Sequence, residues 1–94
     1  MADFITRVEL HDADWSDYER LHAAMEAEKF YRVIKGSNDK WYHLPTAEYH
    51  STGTLSAEDV RELAKKAAAK TGKSFSVLVS QATDIVWYNL PEVT

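Results

Sequence analysis

The hydrophobic periodicity of this chain switches four times within 94 residues. DFITRVEL (3–10) alternates, with Phe4, Val8 and Leu10 on one side and Asp3 and Glu9 on the other. That two-residue repeat is the mark of a half-buried strand. From Trp15 to about Glu28 the spacing is helical: Trp15, Tyr18, Leu21, His22 and Met25 recur at threes and fours and form one stripe. FYRVIK (30–35) returns to strand chemistry. A second helical stretch runs to about Thr71, with Val60, Leu63, Ala64, Ala67 and Ala68 inward, and KSFSVLVSQ (73–81) alternates again. The chain is therefore two strand–helix–strand units in series. Right-handed crossovers put both helices on the same face of one sheet.

Local punctuation supports these limits. Asp12 and Asp14 are the best N-caps for the first helix. GSND (36–39) is turn chemistry. LSAED (55–59) offers Ser56 as N-cap and Asp59 at the capping-box position, with Leu55 and Val60 spaced for a hydrophobic staple. Gly72 is a natural left-handed stop. Residues 41–52 read as one extended segment, and Pro45 predicts a bulge, bend or break within it because it cannot donate a ladder hydrogen bond.

WYHLP (41–45) and WYNLP (87–91) share four of five letters, and each closes one half of the chain. The expected fold is α+β: a single ferredoxin-like domain over residues 1–94, a β-α-β-β-α-β sandwich. Its core covers about residues 3–81, with an additional C-terminal strand at about 85–90 and a loose tail after it. Trp41 and Trp87 can form a shared aromatic surface for a partner copy or for stacking on RNA bases. Alternatively they cap the core or cover a sheet edge.

Eleven Lys and Arg face fifteen Asp and Glu, a net charge of −4. Binding to nucleic acid through bulk charge, and DNA as a partner, are therefore not expected; a local basic patch is still compatible with this balance. Cysteine is absent, which removes disulfides and thiolate zinc sites. The apolar runs are short and no signal peptide is visible, so no membrane partner and a cytoplasmic location are expected. No phosphate loop, dinucleotide fingerprint or nucleophile elbow is present, and no cofactor is expected. His11, His22, His43 and His50 show no recognised metal spacing, so no metal site is expected.

RLHAAMEAEKF (20–30) and YHSTGTLSAEDV (49–60) resemble the GhoS-type antitoxin endoribonucleases, small bacterial proteins with a ferredoxin-like fold. The resemblance spans about residues 4–80. It implies an antitoxin of a toxin–antitoxin system that cuts a toxin's messenger RNA, with single-stranded or messenger RNA as partner; the expected assembly is a homodimer. Aligned through Leu21, Met25 and Phe30, the family's two positively charged helix positions fall on Arg20 and His22, and its aromatic position falls on Tyr49. His22 replaces an arginine, so it can serve as acid or base but lacks the guanidinium fork. The resemblance thus makes Arg20 and His22 the catalytic candidates and Tyr49 an RNA-binding one, to which the aromatic surface of the repeated phrase adds Trp41. Residues 20 and 22 point in widely different directions on one helix and cannot readily share a phosphate. A non-catalytic regulatory module that binds RNA or protein is the alternative.

Overall fold

The computed structural model describes residues 1–94. Its elements are β1 (Ala2–Leu10), α1 (Trp15–Ala27), β2 (Val33–Lys35), β3 (Trp41–His43), β4 (Glu48–Gly53), α2 (Ala57–Ala69) and β5 (Phe75–Ala82). β1 is the centre of a three-stranded antiparallel sheet ordered β4-β1-β5. Its alternate residues Phe4, Val8 and Leu10 are buried in one cluster with Leu21 and Met25 of α1 and Val60, Ala64, Ala67 and Ala68 of α2. Both helices therefore lie on one face of the sheet. Small alanines along α2 let it sit close to the strands, and the opposite face carries no helix.

Asp14 caps α1 with a complete capping box: its carboxylate accepts from the Asp17 amide at 3.0 Å, and Asp17 accepts from the Asp14 amide at 3.0 Å. The far end closes without glycine. Lys29 takes the left-handed conformation at φ 67 and donates its amide to Glu26, while the Phe30 amide reaches back to Met25. This is the Schellman arrangement, and the Phe30 and Met25 side chains share the core as that arrangement favours. In α2, Ser56 accepts from the Asp59 amide at 3.1 Å. The shorter Asp59 carboxylate makes no return bond to the cap. Gly72 ends the segment at φ 75.

The segment at 41–52 breaks where Pro45 predicts a break. Ala47 adopts φ 65, and its carbonyl accepts from Val8 at 3.0 Å. The chain before this corner turns away to pair with β2, whereas the chain after it pairs with β1. A backbone pair between Tyr31 and His50 ties the start of the β2 segment to β4. β3, in the middle of the chain, therefore pairs with β2 outside the three-stranded sheet.

Residues 85–90 form no strand, contrary to the sequence-based expectation. Asn89 at φ 60 interrupts extension there. Pairing occurs further on instead: the His43 amide donates to the Pro91 carbonyl at 2.8 Å, and the Val93 amide donates to Trp41 at 2.9 Å. Proline can accept such bonds although it cannot donate them. The tail expected to be loose is thus tied to β3. Trp15, expected on the buried stripe, is 70% exposed. No helix is long and apolar enough to cross a membrane.

Phe4 and Ile5 test the facing of β1. Phe4→Ala should lower unfolding free energy by about 4 kcal/mol, whereas Ile5→Ala, on the helix-free face, should cost clearly less. Urea denaturation checks both.

Candidate functional site

Two neighbourhoods hold the chemistry-bearing residues. The first lies beneath α1. His22 Nδ1 and the Tyr49 hydroxyl are 2.6 Å apart, and the ring centroids are 5.8 Å apart. Tyr49 is 0% exposed, since it faces the core opposite Thr6 of β1. His22 is the only hydrogen-bond partner of that hydroxyl, so the O–H donates to Nδ1. His22 Nε2 is buried and has no partner.

Burial, and then the Arg32 charge, push the His22 pKa below the ordinary 6.5, with Glu19 opposing. Burial likewise pushes the Tyr49 hydroxyl above its ordinary value. A protonated His22 would turn both ring nitrogens into donors and leave Tyr49 without its acceptor. The pair therefore behaves as a neutral, sealed hydrogen bond.

Arg20 does not join this pair. Its guanidinium donates to the Asp17 carboxylate, which is itself buried and also lies 3.7 Å from the Lys73 ammonium. Arg20 thus neutralises a buried carboxylate of the capping box. The structure brings together two of the three family-matched positions, His22 and Tyr49, and leaves Arg20 with a different partner. Tyr49, expected as an RNA-binding residue, is fully buried and offers no exposed ring face.

Arg32 was missed at the sequence level. It is half-buried, its Nε has no partner, and it makes no ion pair. The available signal was parity: Phe30, Arg32 and Ile34 share one side of FYRVIK, and Phe30 and Ile34 are buried.

The second neighbourhood lies along the seam between β2 and β4. Lys35 pairs with Trp41 and Tyr31 pairs with His50, so these side chains occupy one strip of surface. A groove of about 440 Å³ runs along it, lined by Lys29, Tyr31, Lys35, Trp41 and His50 among others. Tyr31 is 44% exposed and Trp41 47%. Beside the groove is an open cleft of about 620 Å³, lined by Asp3, Asn38, Tyr42 and Trp87. The Tyr42 and Trp87 rings lie 5.5 Å apart at its wall. His50 and Lys35 line both spaces. His50 Nε2 is 2.9 Å from an Asp3 carboxylate oxygen.

The remaining histidines are placed differently. His11 bonds Ser74 and Ser76 through its two nitrogens, and His43 is exposed on β3. No three His, Asp or Glu side chains converge to hold a metal ion.

No protein-family model matches the sequence, and a search of curated proteins finds no match.

The His22–Tyr49 pair sets a pH dependence. The unfolded chain takes up a proton at His22 before the native chain does, so this contribution is complete above pH 6.5 and is lost as pH falls below it. Tyr49 acts at the other end, with stability falling as pH rises beyond 10.0. The difference in urea stability between wild type and His22→Leu should therefore shrink below pH 6.5. Tyr49→Phe should cost about 1 kcal/mol at neutral pH.

Proposed function

We propose that this chain is a regulatory protein that binds single-stranded RNA in the groove along the seam between β2 and β4. The observation that carries the reading is the pair of exposed rings, Tyr31 and Trp41, flanked by Lys29 and Lys35 on one strip. Flat aromatic faces stack on unpaired bases of any sequence, and ammonium groups neutralise the phosphates between them. With a net charge of −4 on the whole chain, attraction must come from this local strip. Lys29 holds a left-handed φ that costs a non-glycine residue about 1–2 kcal/mol.

The core that carries the groove is, on this reading, ferredoxin-like. Support comes from both helices packing on one face and from the succession β2, β4, β1, β5 completed by the Tyr31–His50 bridge. The homodimer belongs to the same reading. β5 ends the sheet and carries no charged residue, so two copies can pair antiparallel about a two-fold axis.

A second reading follows from the GhoS-type resemblance: an antitoxin endoribonuclease acting through Arg20 and His22. The observation in its favour is the contact between His22 and Tyr49, two of the family-matched positions. It requires Arg20 to leave Asp17 and His22 Nε2 to become accessible.

Fluorescence anisotropy with a mixed-sequence single-stranded RNA tests the binding reading. Trp41→Ala and Tyr31→Ala should each weaken binding about tenfold. Lys29→Gly should raise thermal stability while lowering RNA affinity and reducing the salt slope by about 0.7. Equal affinity in wild type and both aromatic variants would refute the groove. Sedimentation should give twice the monomer mass.

A further inference from the structure

We propose that the seam between the two aromatic-lined spaces is an RNA-cleaving site, with His50 as general base, Asp3 as its positioning residue and Lys35 as the phosphate-binding cation. The proposal rests on the RNA-binding reading of the groove and adds a reaction to it.

Of the four histidines, His50 alone has one ring nitrogen held by a carboxylate and the other left open. Nε2 donates to Asp3 at 2.9 Å, while Nδ1 has no protein partner and is not sealed from solvent. His22 presents the reverse case, with one nitrogen engaged by Tyr49 and the other buried. Both nitrogens of His11 are taken by serines. A carboxylate on one imidazole nitrogen fixes the tautomer, leaves the lone pair on the other, and stabilises the cation formed when that lone pair takes a proton. His50 is itself firmly placed, because its backbone amide and carbonyl both bond Tyr31 at 2.7 and 2.9 Å.

Position gives the dyad its substrate. His50 and Lys35 line both the groove that holds Trp41 and the cleft that holds Trp87. The repeated phrases WYHLP and WYNLP thus place one indole in each of the two spaces that share this histidine and lysine. A strand with one base on the Trp41 side and the next on the Trp87 side passes its intervening phosphate over this seam. Lys35 is half-exposed, and its only ion pair is with the exposed Asp39 at 3.4 Å, which a phosphate can displace.

The reaction is transesterification within the RNA. The 2′-hydroxyl gives its proton to His50 Nδ1 as its oxygen bonds to phosphorus. The bond from phosphorus to the 5′-oxygen breaks, and that oxygen takes a proton from water. The hydroxide so formed recovers the proton from His50. The products are a 2′,3′-cyclic phosphate and a 5′-hydroxyl, and no co-reactant is consumed. DNA lacks the 2′-hydroxyl and is left intact.

The test uses the full chain, a mixed-sequence single-stranded RNA, its all-deoxy counterpart, and EDTA in the buffer. The expected result is RNA cut to cyclic-phosphate ends with the deoxy strand uncut. His50→Ala should lower the rate about 100-fold, with part of it restored by added imidazole. Asp3→Asn should lower kcat and leave KM unchanged. His50→Gln replaces His50→Ala should the latter fail to fold by circular dichroism. RNA that binds wild type but is not cut overturns the proposal and leaves the binding reading standing. Cutting that survives in His50→Ala and is lost in His22→Ala also overturns it and moves the chemistry beneath α1. RNA that does not bind at all overturns both readings.

Discussion

The one-sided burial of β1 is the constraint on which the rest of the molecule depends. This strand pairs along both edges, with β4 and β5, and turns Phe4, Val8 and Leu10 toward both helices. A one-residue slip would move that apolar set to solvent, so register and facing are fixed together. With both helices committed to one face, the other remains open. The groove, the cleft and the Asp3–His50 pair all depend on this asymmetry.

The second determinant is the corner at 44–47. Pro45 and the left-handed Ala47 end one extended stretch and start another. β3 is freed to pair with β2, and the last residues of the chain then add to β3. These pairings bring Trp41 and Trp87 to neighbouring spaces beside the sheet. A short polypeptide thereby builds two concave surfaces without any additional domain.

Legibility differed between residues for a physical reason. Helix limits, caps and the strands at 3–10 and 73–81 are set by contacts a few residues apart, and periodicity records them. Pro45 marked its break because a missing N–H is a local property. The strand expected at 85–90 failed because β-formers need a partner edge, and the edge of β3 was taken by residues 91–93. Arg20 was a catalytic candidate on the first helix. Its partner, Asp17, was visible three residues earlier, but the burial that makes this carboxylate need a cation is a tertiary property. Tyr49 could have faced either side of the sheet until its pairing with Thr6 put it inside.

By itself, the order of residues determined the two strand–helix–strand units, their caps, the missing thiols and the net negative charge, because each follows from composition or from spacing along one element. The tertiary structure alone decided which histidine is sealed and which is open. It also decided that Arg32 stands near His22, and that His50, 47 residues from Asp3, meets it across the sheet. Burial and the juxtaposition of distant side chains arise only when separate elements pack, and no local pattern encodes them.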